Sequence, residues 1–450
     1  MKVRGITIPD LHHFKDFHLD LTYPAGHPKA GRALDKVCFI GQSGTGKTTL
    51  LKLISVISYK SYSYSEIGLM DQIKQVSLDF EFEDFVSSKK INFDKDETEQ
   101  GGEKVSNYWS KIYQNGAEVE FKNVLPQWGI YSGSVKPATI YFPADLDYRL
   151  EVEHGDLLDL QDRRHIDFSS YSAANTWTII LNEIQKYQEE EIKIRQEISH
   201  IAEKATDIKA IQKAVKKLEK WRNETPSPVQ NIADKCLDPL LKNFGLRVKT
   251  KLDFQGKDDI GFLKIEDFAG NEVPNGLLST GTKQVMLSAL PLYLLQPNKC
   301  QILYDEPERS LYPDLQRTII DYYLGLTIDC QFFFSTHSPI IASSFEPWEI
   351  VELKFDKNWN IYRDLYYEGE NHVDNYFVDP RYLDYDLILK KIFDLDDTST
   401  DMRTEAIVEL TMLKNQIDTL KEKGQLKTPK AKEIVTRYKM LAQKLAWKTE

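Results

Sequence analysis

The sequence predicts an α/β fold in which buried parallel strands alternate with helices, joined by an antiparallel β lobe, an inserted helical arm and a helical carboxy-terminal tail. Three observations predict it. Short apolar runs, KVCFI (Lys36–Ile40), CQILYDE, CQFFFST and WEIVELKF, alternate with helical stretches, and strands buried on both faces are what a parallel sheet requires. The opening runs VRGITI and FKDFHLDLTY alternate apolar with polar residues, the pattern of an antiparallel pair. From Trp177 to Trp221 there is neither Gly nor Pro, and the apolar residues recur at steps of three and four, as on a helix.

Taken in order, KVCFI runs into a Gly-rich turn, and TTLLKLISVIS after it has the spacing of a helix packed on one side. Gln75 to Pro143 reads as a strand-rich lobe, with VSLDFEFEDF, AEVEFKNV and ATIYFPA as its clearest runs and KDETEQGGEK as a polar loop. The arm carries Ile180, Ile184, Tyr187, Ile194, Ile198, Ile201, Ala205, Ile208, Val215 and Leu218, with a break at Glu191 and a shift near Ile211 and Gln212. That seam predicts a short coiled coil or a helix on a surface groove. As one uninterrupted helix it would reach roughly 65 Å. TPSP (Thr225–Pro228) ends it, and a helix over Val229–Phe244 and strands over Val248–Phe254 and Phe262–Glu266 follow. The expected divisions are residues 1–170 and 229–360 for the two parts of the α/β unit, 171–228 for the arm and 361–450 for the tail.

No run of eighteen apolar residues occurs, and Met1–Asp20 lacks the apolar stretch of a secretory signal, so a cytoplasmic protein without a membrane partner is expected. Cys38, Cys236, Cys300 and Cys330 form no CxxC pair, which argues against a zinc site or a disulfide framework. Three of them open apolar runs, where burial is the simpler reading. A net charge of −11 gives no global pull toward nucleic acid. The one local candidate for such contact is the Lys-rich stretch Lys421–Lys448, and runs of this kind are usually solvated helix faces.

Gly41–Thr48 reads GQSGTGKT, the GxxxxGK[ST] pattern of a phosphate-binding loop between a strand and a helix. Gly41, Gln42, Ser43, Gly44, Thr45 and Gly46, with Lys47, Thr48 and Thr49 at the helix start, are the nucleotide-binding candidates. Backbone N–H groups would curl around phosphate oxygens, Lys47 would reach the β- and γ-phosphates, and Thr48 would put its hydroxyl on Mg²⁺. QILYDE (Gln301–Glu306) ends an apolar strand in two carboxylates. Asp305 is expected to hold Mg²⁺ through water and Glu306 to polarise the attacking water, since phosphoryl transfer mostly needs positioning and charge stabilisation. LSTGTKQ (Leu278–Gln284) enters a helix with Ser279 and Gly281 at its start, a second anion site in a chain that already has one. Such a grip makes most sense on a nucleotide held by a second molecule. In FSTHSP, His337 follows a buried strand; a lone His is more often structural, but beside the other three elements it reads as a γ-phosphate sensor.

The ordered set GQSGTGKT, LSTGTKQ, QILYDEPERSLYP and STHSP resembles the ABC-type ATPase heads of the SMC, RecF and OLD families. The resemblance implies an ABC-type P-loop head that binds ATP and Mg²⁺ and pairs head to tail with a second copy. It further implies that Ser279 and Gly281 contact the γ-phosphate in trans, that Gln284 of the same motif belongs to the cofactor-binding set, that Glu306 is the catalytic base, and that Lys47 and the switch histidine His337 complete the catalytic set. The chain departs from the family at Ser43, where Asn is usual, and at Tyr312, where the family has His. The family's metal-touching Gln is open between Gln72, Gln75 and Gln127.

The tail YLDYDLILKKIFDLDDTSTDMRTEAIVELTMLKN resembles that of stand-alone ATPases in bacterial anti-phage systems such as Septu, which implies a separate effector, a nuclease or toxin. Rival readings are a RecF- or SMC-like ATPase of DNA maintenance, an OLD-like enzyme with its own nuclease centre on Glu368, Gly369, Glu370, Asp384 and Asp386, and a transporter subunit. The inserted arm, EPERSLYP and THSP point away from the last.

Overall fold

The computed structural model describes residues 2–59, 75–82, 85–100, 103–114, 117–119, 139–146, 165–169, 174–204, 208–250, 263–364, 379–395 and 400–447. The chain divides into two compact units, Met1–Leu383 and Asp384–Glu450.

The first unit is built on two large sheets. One is wholly antiparallel, with strands β1 (Lys2–Leu11), β2 (Phe14–Asp20), β4 (Gln75–Phe82), β5 (Phe85–Gln100), β6 (Glu103–Gln114) and β7 (Ala117–Val119) in the order β2-β1-β4-β5-β6-β7. The other holds β3 (Lys36–Gly41), β8 (Thr139–Phe142), β9 (His165–Asp167), β13 (Gln301–Asp305), β14 (Gln331–Ser335), β15 (Ile350–Phe355) and β16 (Ile361–Asp364) in the order β16-β15-β3-β14-β13-β8-β9. Every pair in it is parallel except β15 with β16. The mixed, mainly parallel α/β class expected from the apolar runs is therefore the class observed.

Helix α1 (Lys47–Tyr59) buries Leu50, Leu51, Leu53 and Ile54 completely, at about 1.5–3 kcal/mol for each such side chain. They share one core with Val3, Ile6, Phe39, Leu78, Phe80 and Phe333. Across the parallel sheet, Tyr304 stacks on Phe142 at 4.4 Å and on Phe334 at 5.7 Å, and this aromatic ladder fixes the lateral order of β8, β13 and β14. A small sheet of β10 (Leu246–Val248), β11 (Ile265–Asp267) and β12 (Glu272–Val273) precedes helix α6 (Thr280–Leu295), and helices α7 (Pro313–Gly325) and α8 (Pro339–Ala342) follow β13 and β14. All four cysteines are free and buried.

Four expectations are corrected. The acidic run KDETEQGGEK is strand backbone up to Gln100 and again from Glu103; polarity suggested a loop, but ladder hydrogen bonds belong to the backbone and tolerate polar side chains. The tail expected from residue 361 opens instead with β16, which pairs with β15 across a turn where Asp356 accepts from the backbone N–H of Asn358 and Asn360. The arm is not one helix: α2 (Ala174–Lys204) and α3 (Ile208–Glu224) run antiparallel, with Tyr187 against Trp221 at 4.8 Å, Lys217 paired with Glu197 and Arg222 with Glu191. In a continuous helix those partners would be tens of ångströms apart. The helix expected over Val229–Phe244 is composite, with α4 (Pro228–Ile232), a π turn (Ala233–Leu237) and α5 (Asp238–Leu241) in succession.

In the second unit, α9 (Tyr385–Lys391) precedes a helical pair, α10 (Asp401–Glu422) and α11 (Pro429–Lys444). Leu410, Leu441, Ala442 and Leu445 form the small core of that pair. Among the described residues no helix is long and apolar enough to cross a membrane.

Candidate active site

The parallel strands β3, β14 and β13 lie side by side with their carboxyl ends level, since Ser335 pairs with Phe39 and Asp305 with Ser335. Ligands of open α/β sheets bind beyond that edge, and the loops leaving these three strands carry the motifs. Gly41, Gly44 and Gly46 all have positive φ, and a Cβ at Gly41 would lie 2.2 Å from the Leu353 carbonyl oxygen, so the turn excludes other residues there. Thr45 is buried beneath it and donates its hydroxyl to the Gln42 carbonyl at 2.8 Å. Gln42, Ser43, Gly44 and Thr48 are exposed, with Thr49 half-buried behind them.

Lys47 is 6% exposed and its Nζ donates to the carbonyls of Gly41 and Gln42 at 2.9 and 3.0 Å. Burial holds its pKa down to about 8 against the attraction of Asp305, Glu306 and Glu308. A buried ammonium facing a loop of backbone N–H groups suits a polyphosphate. Thr48 Oγ1 donates to Asp305 Oδ2 at 2.8 Å, and Asp305 Oδ1 accepts from the Ser335 hydroxyl. Tyr141 stands 3.5 Å from the same carboxylate. A hydroxyl and a carboxylate already in contact at the phosphate loop form an all-oxygen donor set, which fits Mg²⁺.

Glu306 has φ +49°, a left-handed conformation unfavourable for a side chain of this kind; its N–H donates to the Ser335 carbonyl at 2.9 Å. This turn swings the Glu306 carboxylate to 3.9 Å from His337 Nε2. The imidazole lies below the usual His range through burial and the nearby Lys47, opposed by Glu306 and Asp305. Both side chains are about two-fifths exposed, so they border solvent.

The structure thus brings Lys47, Thr48, Asp305, Glu306 and His337 to one sheet edge. Ser279 and Gly281 stand at the start of α6. Ser279 is exposed and caps α6, accepting from the Thr282 N–H at 3.1 Å. Gly281 packs so tightly on the loop after β13 that a Cβ would meet the Ser310 carbonyl at 2.3 Å. Gln284 is only 5% exposed and lies at a buried position of α6. Gln72, Gln127, Glu368, Gly369 and Glu370 lie outside the described residues, and Gln75 opens β4. Asp384 caps α9 and Asp386 pairs with Lys390 at 2.8 Å, so both have structural tasks. Sequence reasoning passed over Ser335, Tyr141 and Glu308; the first two are revealed only when β8 and β14 flank β13.

A P-loop nucleotide-binding domain is the class that this sheet edge and its loop define. Residues 36–343 match the family described as "AAA domain, putative AbiEii toxin, Type IV TA system", and the chain belongs to that family. Among solved structures it is similar, at 13% identity, to the Smc head domain with an extended coiled coil of Pyrococcus furiosus, bound to the C-terminal domain of ScpA, over 81% of this chain and 96% of that one with a TM-score of 0.43. A SmcHead bound to the C-winged helix domain of ScpA is similar at 12% identity, with 81% and 97% covered and a TM-score of 0.45. The SMC head domain from Thermotoga maritima is similar at 13% identity, with 81% and 98% covered and a TM-score of 0.39. No curated protein matches the chain in sequence.

Proposed function

We propose that this chain is a Mg²⁺-dependent ATP hydrolase whose ATP-bound head pairs with a second copy and thereby controls a separate effector in bacterial anti-phage defence. The observation that carries the hydrolase reading is the convergence of Lys47, Asp305, Glu306 and His337 on the carboxyl edge of three adjacent strands. Lys47 and the loop N–H groups bind and orient the phosphates, and Glu306 accepts the proton of the attacking water while His337 lines the same space. Thr48 and Asp305 would hold Mg²⁺, which supplies charge neutralisation at the phosphates when bound.

Pairing is supported by the helix start at Ser279, exposed and set on the loop after β13, a ready anion site. The family's link to a toxin system supports an effector role. Contact of the Lys-rich stretch Lys421–Lys448 with nucleic acid is the alternative target.

Glu306→Gln with ATP and Mg²⁺ tests the reading: turnover should fall by at least about a hundredfold while light scattering reports a trapped dimer. Hydrolysis at the parent rate would remove Glu306 as the base, and normal ATP affinity in Lys47→Ala would remove the loop as the nucleotide site. Co-purification with a nuclease or toxin supports the effector; a membrane permease in its place contradicts it.

A further inference from the structure

Glu308 lies two residues beyond Glu306, on the turn that leaves β13, and reaches across to the loop after β14. Its Oε1 accepts from the Thr336 hydroxyl at 2.6 Å and from the His337 backbone N–H at 3.0 Å. Thr336 Oγ1 in turn accepts from the Ser338 N–H at 2.9 Å, and Ser338 accepts from the N–H groups of Ile340 and Ile341. The whole segment that presents the imidazole is therefore organised around one carboxylate. Glu308 Oε2 is buried with no hydrogen-bond partner among the described residues. A half-satisfied buried carboxylate costs stability, and such a group calls for an explanation beyond packing.

We propose that Glu308 is a positioning residue for hydrolysis, clamping the backbone of His337 so that the imidazole stays against Glu306. The inference rests on the reading of Glu306 and His337 as the hydrolytic pair. Its physical basis is that the two loops are pinned to each other twice. The Glu306 N–H holds the Ser335 carbonyl, and Glu308 holds Thr336 and His337 from the opposite direction. The 3.9 Å separation of Glu306 and His337 already sits at the limit of direct interaction. A shift of one ångström would end it, and displacements of that size cost large factors in rate.

The test is a double-mutant cycle on ATP turnover by the full chain. Glu308→Ala should lower kcat at least about tenfold with KM for ATP within about threefold. Glu308→Gln, whose amide oxygen can accept both donors, should recover kcat to within about threefold of the parent. In a His337→Ala background, Glu308→Ala should cost less than about twofold, because residues acting through one another are not additive. An equal cost in both backgrounds, or a parental kcat in Glu308→Ala, overturns the proposal while leaving the hydrolase reading intact. A parental rate in His337→Ala alone overturns the hydrolytic role of the histidine, and the proposal with it. Where Glu308→Ala is not recovered folded, Glu308→Asp withdraws the acceptor by one methylene and carries the same expectations.

Discussion

Thr48 and Asp305 are separated by 257 positions in sequence and meet in a hydrogen bond of 2.8 Å between Thr48 Oγ1 and Asp305 Oδ2. The carboxylate is thereby held toward the phosphate loop. Thr48→Ala should lower ATP affinity about tenfold in Mg²⁺ and by less than about twofold in EDTA, a difference expected when an oxygen donor to the metal is lost. A fluorescent-nucleotide titration in the two buffers reads it, and equal losses would make the hydroxyl purely structural.

The left-handed backbone of Glu306 predicts a conflict between stability and activity. Glu306→Gly should relieve strain and stabilise the protein by about 1 kcal/mol, since side chains in this region cost about 1–2 kcal/mol. The same variant should lose hydrolysis. Thermal melts of Glu306→Gly beside Glu306→Ala check the point, because Ala keeps the Cβ and should bring no gain.

At Gly281 the sign of a substitution is informative. Inside most helices Gly→Ala stabilises by up to about 1 kcal/mol. Here the new Cβ would meet the Ser310 carbonyl at 2.3 Å, so Gly281→Ala should destabilise by about 1–3 kcal/mol and push α6 off the loop after β13. A raised melting temperature would contradict the packing.

Glu349 supplies a pH dependence remote from the site. It is 3% exposed and burial pushes its pKa up to about 7, against the pull of Lys36 at 3.5 Å. Between the ordinary carboxyl value and 7, the unfolded chain releases a proton that the folded chain keeps. The folded state then binds more protons, and stability falls as pH rises through that window. Glu349→Gln should remove this slope, leaving the variant of order 2 kcal/mol less sensitive than the parent between pH 5 and 8. Denaturant titrations at the two pH values measure it.

The sequence made the site legible where chemistry is local. GQSGTGKT, QILYDE and STHSP are each contiguous, and the parallel sheet then brings them to one edge. What it hid depends on the partners of a strand or helix. Tyr141 and Ser335 look like core residues until β8 and β14 take their places beside β13, and Glu308 looks like one charge in EPERS until the loop after β14 closes over it. Motif spacing likewise said nothing of which positions of α6 are buried, and Gln284 is one of them. The arm was misread because a helical period persists through a reversal of direction. Only pairings such as Tyr187 with Trp221 reveal the turn.

That reversal has an evolutionary meaning. Chain that passes Tyr187 on α2 is back beside it at Trp221 on α3, 4.8 Å from ring to ring, so the segment between them ends where it began. Whole turns can be added to or removed from both helices together without displacing either root, because lengthening a loop whose ends already meet changes little in closure entropy. Selection can set what the arm reaches while the phosphate-loop edge stays as it is, and the ends of α2 and α3 away from Tyr187 and Trp221 are where a foreign recognition element could be grafted with least disturbance to that edge.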